Sequence, residues 1–479
     1  MDDLKWYEMN RTRSLRFFGL APGELGLIFM VSSGLSGFFY HFFETSSLWF
    51  FSGFVFSFFV LLHMCWVAGR YVIFLELVAF IGCISLIIAP ALAYIYPHSW
   101  PIFQMVLPLD EYMSYAVPSM MALWLGLHLF TRMNKTKPYE RSFTKLTTQE
   151  RRLMDIFIVA GFLMNAISTH LPGSLKFLYY ILGFLPFPAA LTLMFCSAKG
   201  WGLRVVVVYL GLFLRVASGG IFYEMVLWTG YLVIGLAYMG KWRWKLLGTL
   251  AIMFFMAVLL NDIKSDYRVS IYSDEGISFF SKIKILSNLF VTSNEISRDK
   301  TVGDRIVRWN QGWIVARVMT TVPEIQPYAN GQTILDALVA SVVPRIFASD
   351  KMTAVSHEFF MTYTGADKAE DTSMALGPAG EMYANFGLWG GVLGMGVFGA
   401  LIGLIFYQFV RFAKYSNAVW AWVPFVLLAA FESEWNIYDI LNYITKSGFV
   451  FLLVVMLFAS LRTILRKKVK RIIPFRRRV

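Results

Sequence analysis

The chain has 479 residues, 57% of them hydrophobic, 17% aromatic and only 15% charged, where a soluble domain carries about a quarter charged residues. With a mean hydropathy of +0.59, this excludes a water-soluble enzyme, a disordered chain and a disulfide scaffold, and it implies an all-α polytopic membrane protein. The formal charge of +13 does not point to nucleic acid. Its densest part is the run Arg462, Arg466, Lys467, Lys468, Lys470, Arg471, Arg476, Arg477 and Arg478, which follows an apolar helix directly, where anionic membrane lipid attracts bases. Cys65, Cys83 and Cys196 all fall inside apolar runs and form no loop disulfide framework.

A span needs about 20 apolar residues to cross about 30 Å of hydrocarbon. Runs of that kind predict about twelve transmembrane helices, near 21–40, 47–68, 72–96, 112–131, 154–169, 176–197, 204–220, 222–240, 246–261, 387–410, 417–434 and 444–463. The seventh and eighth are interrupted by Arg215 and by Gly219-Gly220. The N-terminal apolar stretch lacks a small-residue cleavage site and reads as the first span. Charge sets the orientation. Segment 131–153 holds Arg132, Lys135, Lys137, Arg141, Lys145, Arg151 and Arg152; Lys241, Arg243 and Lys245 follow the eighth span, and Arg411 and Lys414 the tenth. All fall on the side of the two termini. The opposite connections are acidic: Glu44, Asp110-Glu111, Glu432 and Glu434. The expectation is a cytoplasmic membrane protein with both termini inside.

This divides the chain into a bundle of about nine helices (1–261), one long extracytoplasmic loop (262–386), three further helices (387–463) and a basic cytoplasmic tail (464–479). So long a connection is uncommon unless functional. Apolar residues at helical spacing predict short helices over 304–321 and 333–347, with apolar faces that lie on the membrane or cap the bundle.

The loop's bases concentrate in 298–351: Arg298, Lys300, Arg305, Arg308, Arg317, Arg345 and Lys351. Arg305 and Arg308 share a helical face beside Trp309, so their guanidinium groups can clamp a diphosphate. The competing reading is a salt-bridged solvated face, with Asp304 pairing with Arg308 at i,i+4. His357 is an acid/base candidate near neutral pH; a lone loop histidine is more often structural. In Gly377-Pro378-Ala379-Gly380-Glu381 the turn residues return the chain to the membrane. There Glu381 is either a base with its pKa raised by apolar surroundings or an acid complementing a helix dipole. Arg215 is costly in hydrocarbon and functional by default; it pairs with Glu224 in a cavity or snorkels to the interface. Metal-ligand spacing is absent from the loop, so neither metal nor cofactor is expected.

The layout resembles the Wzy-type repeat-unit polymerases of bacterial surface polysaccharides, with about twelve spans and one long late loop. The resemblance runs from about 205 to 410 and is carried by Ser218-Gly219-Gly220, by the loop helix around 304–317, by "VVPRIFASDKM" (Val342 to Met352) and by "MALGPAGEMYANFGLWGGVLGMGVFG" (Met374 to Gly399). Two departures stand out. Ile221 and Phe222 occupy the place where many members have an arginine after the Gly-Gly turn, and the Arg-x10-Gly spacing of some members' loops is absent from 262–386. The resemblance implies a metal-independent glycosyltransferase that moves a growing glycan from undecaprenyl diphosphate to an incoming lipid-linked repeat unit at the periplasmic face, with a chain-length regulator as partner. It implies Arg305, Arg308, Arg345, Lys351 and the outlying Arg215 as diphosphate ligands, His357 or Glu381 as base, and Trp309, Trp313 and Tyr363 as sugar-stacking aromatics. The rival readings are an O-antigen ligase, a lipid-phosphate-sugar glycosyltransferase, and a transporter or flippase.

Overall fold

The computed structural model describes residues 20–43, 47–68, 72–132, 146–168, 179–220, 222–240, 244–272, 277–292, 301–343, 357–367, 374–413 and 417–472. Arg345 and Lys351 lie outside them. Among the described residues the fold is all helical, without strands. In chain order the helices are α1 (Pro22–Phe42), α2 (Leu48–Val67), α3 (Phe74–Ile95), α4 (Leu109–Arg132), α5 (Thr148–Ser168), α6 (Pro186–Phe195), α7 (Trp201–Gly219), α8 (Phe222–Gly240), α9 (Trp244–Tyr272), α10 (Phe279–Val291), α11 (Val302–Ile306), α12 (Gly312–Thr321), α13 (Gln332–Val342), α14 (His357–Thr364), α15 (Gly377–Ala413), α16 (Val423–Leu427) and α17 (Ile437–Ile472).

Eight of these, α1 to α4, α7, α9, α15 and α17, are long and apolar enough to cross a membrane. The remaining expected spans are helical but shorter or more polar. In α5 the first turns carry Glu150, Arg151, Arg152 and Asp155. Around α16 the chain coils into 3-10 turns at Asn417–Trp422 and Leu428–Phe431. The buried faces of all these helices form one continuous apolar core.

Two junctions were visible in the sequence and fold for a physical reason. Between α7 and α8 the chain reverses at Gly220, which adopts φ +63°, a left-handed conformation cheap only for glycine. In α15, Gly387 has φ +68° and breaks the helix into a docking leg, 377–386, and a long apolar rod. A side chain there would also strike Tyr328. That break coincides with the start expected for the tenth span.

The long loop is not an appendage. Helix α12 is almost wholly buried. Gln311 N–H donates to the Ser85 carbonyl at 3.1 Å, and the Arg317 guanidinium donates to the Ile102 carbonyl at 3.1 Å. The stretch predicted as one helix over 304–321 is two, because turns at 307–309 interrupt it between α11 and α12. Ala329 and Asn330 donate to the carbonyls of Ala384 and Asn385, fastening the chain before α13 to the docking leg of α15. Segment 301–343 is thus fastened to α3, to the α3–α4 connection and to α15.

Candidate functional site

Helix α9 has 29 residues, about 43 Å at 1.5 Å per residue, so it outlasts a bilayer core of about 30 Å. Its apolar stretch runs to Lys264, and its last turns bring Asp262, Lys264, Asp266 and Arg268 to the loop end of the bundle. Arg268 Nε donates to the Gly220 carbonyl at 3.1 Å, and the Tyr267 and Tyr272 hydroxyls donate to the carbonyls of Ala217 and Gly219. The Ser218-Gly219-Gly220 turn is therefore held by α9.

Arg305, from α11, and Arg308, from the turn that follows it, arrive at the same place. The Arg305 Nε lies 3.5 Å from Asp262 Oδ2, whose carboxylate is 2% exposed. Arg308, together with Arg268 and Glu434, lies within electrostatic reach of Lys264. Glu434, from the turn before α17, is open to solvent and yet enclosed by enough protein that burial raises its carboxyl above the usual range, against Arg308 and Lys264. We call this charged patch at the loop end of the bundle, with Glu434 exposed and protein packed around it, the recess. The recess therefore combines the bases Lys264, Arg268 and Arg308 with one carboxylate, beside the Arg305–Asp262 pair.

The salt-bridge expected between Asp304 and Arg308 gives way to another arrangement. Asp304 accepts from Ser99 Oγ at 2.7 Å and from the Ser99 and Thr301 amides, and it faces His98 Nε2 at 3.3 Å. Burial raises its carboxyl, but the Ser99 and Thr301 hydrogen bonds outweigh that and hold it at about 2. Arg308 is exposed and lies within electrostatic reach of Lys264 and Glu434. Trp309 packs on Phe254 of α9, with ring centroids 5.6 Å apart.

Other expected residues lie away from the recess. Trp313 is 3% exposed against Phe103, and Tyr363 is 8% exposed against Phe359, so both rings are packed in the core and not offered to a sugar. Glu381 is 1% exposed. Its Oε1 accepts from Thr333 Oγ1 at 3.0 Å and its Oε2 from the Ile437 amide at 2.9 Å. Asn385 Nδ2 donates to the same Thr333 hydroxyl at 2.7 Å. Burial raises its carboxyl to about 7 against the Thr333 and Ile437 hydrogen bonds, while Oε2 also meets the first amide of α17, so the base and the dipole-complementing readings of Glu381 both stand. His357 opens α14 and pairs with Asp367 at 3.2 Å.

Arg215 does pair with Glu224, at 2.9 Å, and also donates to Asn165 Oδ1 at 3.1 Å. Tyr180 stands beside both of them and beside Glu432. Glu432 also borders a cavity lined by Leu86, Met120, Gln311, Phe398, Ile402 and Ser433. That cavity has about 40 Å³ for water centres, enough for a few waters and too small for a sugar or a prenyl chain.

The sequence does not single out Lys264 or Arg268, and it marks Glu434 only as a charge near the outer end of the eleventh span, either functional or interfacial. Their signal was present: three charges at the limits of apolar runs, which mark an interface as readily as a site. Among the described residues, the cluster able to hold a metal is His63, Glu76 and His128, at the other end of the bundle. Compared with known protein families, curated proteins and solved structures, the chain matches none.

Proposed function

We propose that the protein is a membrane-embedded glycosyltransferase acting on a lipid-linked diphosphate oligosaccharide, as the repeat-unit polymerases do. The observation that carries this reading is the recess of Lys264, Arg268 and Arg308 around Glu434 at the end of an apolar bundle. Three cations at the level where lipid headgroups lie suit a diphosphate on a membrane-anchored carrier. The arginine that many polymerases place after their Gly-Gly turn has a spatial counterpart in Arg268, which reaches that turn from α9.

In this reading the chain crosses a bacterial cytoplasmic membrane twelve times, with the four shorter helical segments completing the bundle, both termini inside and the recess outside. The acceptor hydroxyl oxygen bonds to the anomeric carbon of the donor glycan while the carbon–oxygen bond to the carrier diphosphate breaks. The electron pair leaves with the diphosphate, whose growing charge Lys264, Arg268 and Arg308 stabilise. The hydroxyl proton passes to a carboxylate of raised pKa, for which Glu434 is placed better than the enclosed Glu381. Undecaprenyl diphosphate is the carrier, and a chain-length regulator is the expected partner.

The test is complementation of a deletion strain followed by electrophoresis of the surface glycan. Arg308→Ala and Lys264→Ala should leave single repeat units at unchanged protein level. Long glycan retained on its carrier in the deletion strain would favour a ligase, and repeat units trapped inside the cell would favour a flippase. Wild-type chain lengths from the Arg308→Ala, Lys264→Ala double variant would remove the recess from the mechanism.

A further inference from the structure

Three ionisable residues meet inside the bundle where apolar contact would be the default. His63 lies near the end of α2, Glu76 in the first turn of α3 and His128 near the end of α4. Their relative exposures are 0%, 8% and 5%. One ligand atom from each lies within 4.8 Å of the other two. Glu76 to Ile95 spans about 28 Å of helix, so the cluster sits a membrane's thickness from the basic recess.

Chemistry narrows what such a cluster holds. Buried carboxylates and imidazoles in a membrane bundle are costly and mark function, and two imidazoles with one carboxylate form a ligand set for zinc-like ions. Calcium and magnesium prefer all-oxygen cages. His128 Nε2 and Glu76 Oε1 are 3.3 Å apart, the edge of a tetrahedron whose bonds are about 2.0–2.1 Å. On the far side of the ring, His128 Nδ1 is 2.9 Å from the Trp124 carbonyl. That oxygen accepts only if Nδ1 carries the proton, which fixes the tautomer and turns the Nε2 lone pair towards Glu76. Metal-bound histidines are oriented in the same way, by a carbonyl behind the ring. Trp124 also packs edge-on to His63, with centroids 5.9 Å apart, so a single helix face orients both imidazoles.

We propose that His63, Glu76 and His128 bind one divalent transition-metal ion of the zinc class, clasping α2, α3 and α4 at the end of the bundle remote from the recess. Its ligands come from three helices. The site is independent of the glycosyltransferase reading.

Multi-element mass spectrometry of the full-length protein tests this after Zn2+ challenge, chelator-free gel filtration and removal of loose metal. The wild type should retain about one Zn2+ per chain. His63→Ala, Glu76→Gln and His128→Ala should each retain less than a tenth of that, and His41→Ala, outside the cluster, should match the wild type. A wild type without stoichiometric metal, or variants that hold as much as it does, would overturn the proposal. Stoichiometric iron, nickel or copper in place of zinc, lost in the same variants, would keep the site and change its ion. Should the variants aggregate, Co2+ titration of the wild type decides: tetrahedral ligand-field bands saturating at one equivalent uphold the site, and a featureless spectrum removes it.

Discussion

Glu381 and Glu434 are both carboxylates enclosed by protein near the loop end, and their neighbours separate their roles. Both oxygens of Glu381 are already occupied, one by the Thr333 hydroxyl and one by the first amide of α17. Removing them in Glu381→Ala strands two buried donors and should cost about 2–4 kcal/mol, seen as a lower melting temperature and poor expression. Glu381→Gln keeps an acceptor for the Ile437 amide. It should retain most activity, far from the roughly 100- to 10,000-fold loss that follows removal of a general base. Glu434 faces Arg308 and Lys264 and competes with a diphosphate for them while ionised. Its carboxyl is raised, so it protonates as pH falls from neutral towards its elevated pKa, at a higher pH than an ordinary carboxylate. A disubstituted diphosphate keeps its charges over that range. Lipid diphosphate should therefore bind more tightly as pH falls below neutral, and Glu434→Gln should bind tightly throughout with a flat profile. An equal pH dependence in that variant would assign the effect to another group. None of this pairing was readable from spacing. Asp304 sits four residues before Arg308 and turns instead to Ser99, more than two hundred positions away.

Helices α4 and α15 show what the next scale adds. They run side by side in the same direction, with Gly126 against Gly396, Gly399 against Leu123 and Gly403 against Leu127. A Cβ on Gly126 would lie 2.1 Å from the Gly396 carbonyl oxygen, and one on Gly399 would lie 2.4 Å from that of Leu123. Both contacts are with backbone and cannot be relieved by turning a side chain. Small residues four apart let helices in a membrane approach this closely. Gly399→Ala and Gly126→Ala should each force the pair apart and lower the melting temperature in detergent, whereas Gly248→Ala, where a Cβ meets nothing within 4 Å, should leave it unchanged. Equal melting temperatures for all three would refute the close packing. Apolar run length made these helices legible in the sequence, and glycine marked the break at Gly387. Their pairing was hidden because glycine spacing does not name a partner. The same limit hid His63, Glu76 and His128: each is a single polar residue in an apolar run, and only the packing of three helices brings them together.

Among the described residues, the basic recess and the histidine cluster stand at opposite ends of the bundle with apolar helix between them. The basic recess lies where α9 outlasts its apolar stretch, and the histidine cluster lies at the other end of α3 and α4. If the recess handles a carrier lipid outside the cell, the bundle must hold a fixed orientation, the one that the asymmetry of the connecting bases predicts. Cysteine labelling reads that orientation directly, because Cys65, Cys83 and Cys196 are buried and should stay silent to a membrane-impermeant maleimide. Ile325 is 80% exposed in the segment between α12 and α13. In intact cells Ile325→Cys should label as fast as an exposed thiol, while Val479→Cys at the end of the basic tail should label only after the membrane is permeabilised. The reverse pattern would place the recess in the cytoplasm, where a polymerase of this kind has no acceptor, and would overturn the proposed function while leaving the fold and the histidine cluster as they are.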